Sequence, residues 1–203
     1  MSKKVLSQIV VLVGLLGFAA FALPNATKIN DWLHSLSYSP PKLIEQIAND
    51  AGMSETGKRL FYRYEPKLLS EAEIEDQCGF GEIVLGCFTN DGIFIVDFNS
   101  VDEYKRTLVT AAHEMLHVAY YRQDDQQNKA MRPLLDKRVS SASTDIKQEI
   151  NSYNDTVQRY DEAFAIIGSQ LNDLDPKLED IYTEYFSDRT KVIQAFEASP
   201  EAD

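Results

Sequence analysis

The sequence is short of positive charge. Lysine and arginine together number 20 against 32 aspartates and glutamates, which leaves a formal net charge of −12. Nucleic-acid-binding proteins cluster basic residues to contact phosphates, so this composition argues against a nucleic acid partner. The excess of negative charge suits a soluble, solvent-facing domain, and a length of 203 residues fits one domain of ordinary size.

Cysteine is scarce as well. The chain has only Cys78 and Cys87, and the short loop between them is rich in glycine. A closed zinc site built on thiolates needs further Cys or His ligands nearby, and none completes one here, which leaves a pair of zinc thiolates as the weaker interpretation. An even number of cysteines in an exported domain predicts one disulfide, which would stabilise the fold by roughly 2–3 kcal/mol.

One long apolar run lies at the N-terminus. Lys3 and Lys4 precede residues 5–23, which carry no charge and only two polar side chains. A run of this length is close to the roughly 20 residues that span a bilayer as a helix, and the preceding lysines predict a cytoplasmic N-terminus. Residues 1–24 are therefore either a retained signal anchor or a signal peptide cleaved at the A-x-A pattern of residues 20–22.

Both interpretations place the rest of the chain outside the cytoplasm. We expect a single-pass protein of the cell membrane, attached through its N-terminal helix; the alternative is a secreted or periplasmic protein. No cysteine lies directly after the apolar run, so the run is not a lipoprotein signal. Residues 25–41 are expected to form a linker, and residues 42–198 the folded domain.

Histidine is the third scarce residue, and two of the three histidines belong to one motif. His113, Glu114 and His117 form the pattern H-E-x-x-H. Residues four apart share one face of a helix, so both imidazoles can bind one zinc ion. Glu114 would then lie near the open side of the metal, where it can accept a proton from water.

The bare motif is a weak pattern, because a buried helix can carry two histidines that neighbouring residues satisfy. The flanking sequence favours zinc: residues 110–119 contain no charge except Glu114, and no proline or glycine. Unpaired polar groups in such an apolar helix would cost several kcal/mol, on the order of the transfer cost of a polar group. A bound zinc ion would remove much of that cost.

No third histidine follows at the spacing of the metzincins, so a carboxylate from a later helix is the expected third ligand. Glu162 is the best candidate because it opens the apolar stretch of residues 163–167, where a carboxylate needs a partner. Asp161 is the second candidate. The acids in the polar stretches of the chain are expected to be solvated.

The pattern H-E-x-x-H followed by a downstream Glu resembles the gluzincin metallopeptidases, and the small size resembles the minigluzincins. Four stretches also resemble uncharacterised, membrane-tethered bacterial proteins, and the similarity covers about residues 52–195; these stretches are residues 86–88, 110–117, 162–168 and 182–189. The resemblance implies a zincin-like domain in which the metal helix packs beside the Glu helix. It implies Zn²⁺ on His113, His117 and Glu162, with Glu114 as general base.

The resemblance also implies a later Tyr or His that stabilises the oxyanion. No later His exists, so Tyr182 or Tyr185 is expected to take this role. Arg189 follows Tyr185 by four residues and shares a helix face with it, so it is a candidate to bind substrate; the alternative is a structural ion pair. The gap between His117 and Glu162 is wider than in well-known gluzincins.

The expected fold class is α+β: a mostly helical domain with a small antiparallel β-hairpin or sheet, after an N-terminal transmembrane or signal helix. Residues 82–98 predict the hairpin, with its turn at residues 90–92. Asp102 is a plausible cap for the metal helix, residues 144–171 predict one long helix, and residues 177–196 predict the last one.

The expected function is that of a zinc-dependent endopeptidase that cleaves a peptide or protein substrate outside the cytoplasm. The exposed edge of the hairpin would suit an extended substrate, although a strand that merely covers the helix is an equal alternative. Two other functions stay open. One is a non-catalytic helical interaction module, and the other is a zinc hydrolase that acts on cell-wall peptide.

Overall fold

A computed structural model describes residues 26–79, 85–97 and 103–199. These residues form ten helices and three strands. The helices are α1 Ala26–Ser37, α2 Lys42–Asp50, α3 Glu55–Arg63, α4 Glu71–Cys78, α5 Tyr104–Tyr121, α6 Asp125–Ser140, α7 Thr144–Ser152, α8 Thr156–Gln170, α9 Pro176–Tyr182 and α10 Thr190–Glu197. The strands are β1 Lys67–Leu69, β2 Gly86–Thr89 and β3 Gly92–Val96. The mostly helical α+β class is therefore confirmed.

The chain divides into two units, residues 1–39 and residues 40–203. In the first unit, α1 occupies most of the segment that was expected to be a linker. This helix has apolar residues at the spacing of an amphipathic helix, namely Ile29, Trp32 and Leu33. The prolines on both sides of the segment obscure this pattern in the sequence. The apolar run of residues 5–23 lies outside the described residues. Among the described helices, none combines the length and apolar character that a membrane crossing requires.

The three strands of the second unit form a mixed sheet in the order β1-β3-β2. The hairpin is confirmed, because β2 pairs antiparallel with β3. A third strand was not expected: β1 pairs parallel with β3, with Leu68 opposite Ile95. The sheet is therefore not purely antiparallel. All five residues of β3 are buried, as a central strand with both faces covered requires.

One face of the sheet carries α4 and a small core of its own. Ile74, Phe94 and Val96 are buried there, and the disulfide between Cys78 and Cys87 closes this core at one side, with 5.9 Å between the Cα atoms. The predicted disulfide is confirmed. The disulfide joins the end of α4 to β2, so this edge strand is covalently fixed to the helix that covers the sheet.

The other face of the sheet packs against α5, which is the central helix of the second unit. Helices α2, α3, α8 and α10 surround α5 on its remaining sides. Burial on nearly all sides explains why the sequence of α5 lacks charge over two turns. The expected cap Asp102 lies outside the described residues, and the helix ends at Tyr121.

The predicted helix over residues 144–171 is divided in two. Helix α7 ends at Ser152, and the side chain of Asp155 then accepts hydrogen bonds from the backbone N–H groups of Val157 and Gln158 to start α8. The predicted last helix is also divided, since α9 ends at Tyr182 and α10 begins at Thr190. Helical periodicity continues across both breaks, so it could not reveal them.

Helix α8 lies unusually close to α5. A Cβ atom added at Gly168 would come within 2.5 Å of both Leu116 Cδ1 and Tyr182 Cε1. Only a residue without a side chain allows this approach. The close packing places the first half of α8 directly beside the H-E-x-x-H turn of α5.

Candidate metal centre

The H-E-x-x-H residues come together on one face of α5. The Nε2 atoms of His113 and His117 lie 3.0 Å apart. One ligand atom from each of His113, Glu114 and His117 lies within 4.8 Å of the other two, so the group can hold a metal ion. Glu114 is 4 % exposed, and both imidazoles are half-buried.

Helix α8 brings Glu162 to the same point. Its Oε1 atom lies 3.3 Å from Nε2 of His113, and its Oε2 atom lies 3.9 Å from Nε2 of His117. Glu162 is 8 % exposed, although it carries a carboxylate. Glu162, the third ligand expected from the sequence, therefore lies beside both histidines.

Asp161, the second candidate ligand, has a different position. Its Oδ1 atom lies 2.8 Å from Nδ1 of His117, on the side of the ring that faces away from His113. A carboxylate can only accept, so a neutral His117 keeps its hydrogen on Nδ1 and offers the lone pair of Nε2. A carboxylate in this place fixes the orientation and tautomer of a metal-binding imidazole.

The donor set suits a divalent metal ion. Two imidazole nitrogens and one carboxylate are a common ligand set for first-row metals in proteins. The three polar groups point their acceptor atoms at one another, an arrangement that is unfavourable unless a proton or a cation lies between them. Residues 113, 117 and 162 therefore converge as a metal site does, and they do not select the metal by themselves.

The pKa values of the site residues reflect the same convergence. Burial lowers the pKa of His117, but the hydrogen bond to Asp161 and the charges of Glu114 and Glu162 outweigh it and raise this pKa to about 9. Burial raises the pKa of Glu162, but His113 and His117 outweigh it and lower it to about 2. Burial dominates at Glu114 and raises its pKa. The electrostatic field at this point favours a cation.

A tyrosine that the sequence analysis missed also lies at the site. Tyr153 is in the break between α7 and α8, and its hydroxyl interacts with the carboxylate of Glu162. Burial, followed by the charge of Glu162, raises the pKa of Tyr153, while 37 % of the residue stays exposed. The available signal was a single tyrosine in a polar stretch just before the cap Asp155, but the helical periodicity of residues 144–171 conceals the break in which it lies.

The two tyrosines expected at the site lie in the core. Tyr182 is fully buried, and its hydroxyl donates a 2.8 Å hydrogen bond to the carbonyl of Phe164. Tyr185 is 5 % exposed and packs edge-on against the ring of Phe164; burial raises its pKa to about 12. The hydroxyl of Tyr182 is used within the fold, so this residue is not in a position to act on a substrate.

Arg189, expected to bind substrate, is part of a structural ion pair. Its guanidinium donates to both carboxylate oxygens of Glu179, at 3.0 and 2.6 Å. The Nη1 atom donates to the carbonyls of Gly168 and Leu171. With 9 % exposure and these four contacts, Arg189 joins α8, α9 and α10 and has little capacity left for a ligand.

Strand β2 borders the site on the side of the sheet. A Cβ atom at Gly86 would come within 2.5 Å of Thr110 Cγ2 and 3.4 Å of Glu114 Cγ, so the backbone of β2 lies directly against the motif. Within the described residues, no strand pairs with the outer side of β2. The sheet therefore ends in an edge strand next to Glu114.

Searches with this chain against protein-family models, curated proteins and solved structures found no match. What the structure adds to the sequence resemblance is the close grouping of His113, Glu114 and His117, with a disulfide and a mixed sheet nearby. Membership of the gluzincins stays a prediction.

Proposed function

We propose that this protein is a zinc-dependent endopeptidase. The observation that carries the proposal is the convergence of His113, His117 and Glu162, from two packed helices, with Glu114 beside them. A purely structural metal site has no need of a free glutamate inside the motif. Glu114 is therefore the residue that favours catalysis over a non-catalytic interaction module.

Zinc fits the donor set. Ligands about 2.0–2.1 Å from a tetrahedral zinc ion are separated from one another by about 3.3 Å. The distances from His113 Nε2 to His117 Nε2 and to Glu162 Oε1 are 3.0 and 3.3 Å, close to this value, and the distance from His117 Nε2 to Glu162 Oε2 is 3.9 Å. His113, His117 and Glu162 would hold the ion, and a three-ligand site keeps a position open for water or substrate. Asp161 would orient His117 from behind.

Bound zinc would supply a Lewis acid that polarises a peptide carbonyl and lowers the pKa of water to about 7. The residues of the chain supply proton transfer. Glu114, buried and adjacent to both imidazoles, accepts a proton from the attacking water and passes it to the nitrogen of the leaving amine. The carbon–oxygen bond forms first and gives a tetrahedral intermediate; the carbon–nitrogen bond then breaks as the nitrogen takes up the proton from Glu114.

Tyr153 is the candidate to stabilise the oxyanion, in place of Tyr182 and Tyr185. Its hydroxyl is at the carboxylate of Glu162, and its partial exposure places it at the boundary between the site and solvent. A hydroxyl held there can donate to the developing negative charge on the carbonyl oxygen. The substrate would lie along the edge of β2, held by main-chain hydrogen bonds.

We propose that the reaction takes place outside the cytoplasm, with the chain attached to the membrane through residues 5–23. The support is the apolar sequence of that run and the disulfide between Cys78 and Cys87, since disulfides persist in oxidising compartments. Cell-wall peptide is a second substrate class for the same residues.

The test compares the full chain with Glu114→Gln and Tyr153→Phe after each is supplied with zinc. A mixed peptide library, with cell-wall peptide fragments in a separate arm, is incubated with each protein and cleavage is followed by mass spectrometry. We expect about one zinc per chain in all three proteins. Cleavage is expected in the wild type, no detectable cleavage in Glu114→Gln, and a kcat lowered about 100- to 1000-fold in Tyr153→Phe.

Two outcomes would refute the proposal. If the wild type binds no zinc, the motif is a coincidence of sequence. If it binds zinc but Glu114→Gln behaves identically in every arm, the metal has a structural role and the protein is an interaction module.

A further inference from the structure

Three aromatic side chains form a cluster next to the candidate metal centre. The rings of Tyr64 and Phe88 meet edge to face with 4.7 Å between centroids, and those of Phe88 and Tyr121 are 6.2 Å apart. We call these residues the aromatic cluster. They come from three elements: the end of α3, strand β2 and the last turn of α5.

The aromatic cluster is continuous with the site. Side chains two apart in a strand share a face, so Phe88 lies on the same face of β2 as Gly86, which touches Glu114. Tyr121 follows His117 by one helical turn, and its hydroxyl interacts with Asp161, the residue that orients His117. Within β2, Gly86 therefore lies beside Glu114, the proposed general base, and Phe88, two residues further on, belongs to the aromatic cluster.

The cluster is partly open to solvent. Tyr121 is 54 % exposed, the highest value among the large exposed hydrophobic side chains of the described residues, while Tyr64 and Phe88 are half-buried. Partly exposed aromatic rings are a common recognition feature, because they bury a large apolar area at a small cost in side-chain entropy.

Tyr64 forms the inner side of the cluster. Its carbonyl accepts a hydrogen bond from the backbone N–H of Ile93, so Tyr64 lies on the β1 side of β3 and its ring reaches across to Phe88. The guanidinium carbons of Arg63 and Arg122 lie 5.8 and 5.9 Å from the centroid of the Tyr64 ring. Phe88, which belongs to β2 itself, is therefore the member of the cluster that a peptide paired with the open edge of β2 would meet.

We infer that the aromatic cluster selects the substrate: it binds a large apolar side chain on the N-terminal side of the cleaved bond. This inference rests on the proposed function and adds a substrate class to it. An extended peptide pairs with an edge strand more stably in the antiparallel direction. Because β2 runs from Gly86, beside Glu114, towards Phe88, a peptide antiparallel to it places residues on the N-terminal side of the cleaved bond at Phe88.

The experiment uses alanine-based peptides in which Phe is placed in turn at each of the four residues before the cleaved bond. The zinc-loaded full chain gives kcat/KM for each peptide. Fluorescence anisotropy with Glu114→Gln gives the Kd of each peptide without cleavage. Phe88→Ala removes the centre of the cluster, and Leu43→Ala, an exposed apolar residue of α2, is the matched control.

We expect one position at which Phe raises kcat/KM and tightens Kd about tenfold or more over Ala. This preference should disappear in Phe88→Ala and persist in Leu43→Ala. If Phe88→Ala does not fold, Tyr121→Ala replaces it, since Tyr121 is exposed enough to be truncated with little loss of packing.

The two proposals fail in different ways. Cleavage with no preference between Phe and Ala at any position would overturn the role of the cluster and leave the peptidase intact. Binding that depends on Phe and on Phe88, without cleavage of any peptide, would keep the cluster and overturn the peptidase. Absence of both cleavage and Phe-dependent binding would overturn both.

Discussion

Two groups of buried polar side chains lie against α8, and they differ in how their atoms are paired. Each of the three guanidinium nitrogens of Arg189 donates a hydrogen bond. The acceptors are the two carboxylate oxygens of Glu179 and the main-chain carbonyls of Gly168 and Leu171. Around His117, two imidazole nitrogens and a carboxylate turn towards one another. The hydrogen bonds of the first group are satisfied within the chain, whereas the second group needs a proton or a metal ion between its atoms.

The comparison separates a structural polar cluster from a binding site by a physical criterion. A buried group whose hydrogen bonds are satisfied within the chain contributes to stability and has nothing left to offer a ligand. A buried group whose lone pairs converge costs stability until a ligand arrives. Variants of the two groups should therefore change different measurements.

The largest effect is expected from His117→Ala, which removes one of the three proposed metal ligands. Zinc content should fall from about one per chain to a level below detection, because two ligands remain. Zinc at about 1000 times its Kd stabilises a wild-type protein by about 4 kcal/mol, so the variant should also lose the rise in melting temperature on addition of zinc. Metal analysis and thermal melts with and without a chelator measure both. An unchanged zinc content would place the metal elsewhere.

The next largest effect is expected from Arg189→Ala, which disrupts the satisfied group. The change removes the partner of Glu179 and leaves the carbonyls of Gly168 and Leu171 unpaired, so the free energy of unfolding should fall by about 3 kcal/mol. Urea denaturation measures this loss. Zinc content and peptide cleavage at a temperature where the variant is folded should stay at the wild-type level. Arg189→Lys, which keeps the charge but not the fork of donors, should recover only part of the stability.

A smaller effect is expected from Asp161→Asn, at the rear of His117. An amide is a weaker acceptor than a carboxylate and no longer fixes the charge or tautomer of the imidazole. Metal affinity should fall about 10- to 100-fold, measured by competition with a chromophoric chelator. Asp145→Asn, an exposed acid of α7, is the control and should leave the affinity unchanged. Equal affinities in the two variants would mean that Asp161 does not orient His117.

The smallest effect is expected from Tyr182→Phe. Loss of the hydroxyl that donates to Phe164 should lower the free energy of unfolding by about 1 kcal/mol and leave cleavage unchanged. Tyr153→Phe should show the opposite pattern, with little change in the urea midpoint and a reduced kcat. A loss of activity in Tyr182→Phe at full stability would restore that residue to the list of catalytic candidates.

The sequence predicted the parts of the site that depend on local spacing. His113 and His117 are one turn apart on any helix, and Glu162 stands out because it is a charge at the head of an apolar stretch. The position of Asp161 behind His117 could not be read in this way, because neighbouring acids on one helix look alike until the partner helix is placed.

The misplaced residues share a cause. Tyr182 and Arg189 are bound to main-chain carbonyls of Phe164, Gly168 and Leu171, and a sequence does not indicate which carbonyl will face which side chain. The breaks after Ser152 and Tyr182 were missed because apolar periodicity continues through them. Tyr153 was missed for the same reason, since it occupies the first of these breaks.

The link between Cys78 and Cys87 has a consequence for the protein when its helices are apart. The two cysteines are only nine residues apart in the chain, and both precede α5. A crosslink over so short a loop keeps the end of α4 next to β2 even where the rest of the chain is unfolded. The strand that borders Glu114 therefore stays attached to its covering helix whether or not α5 and α8 are packed together.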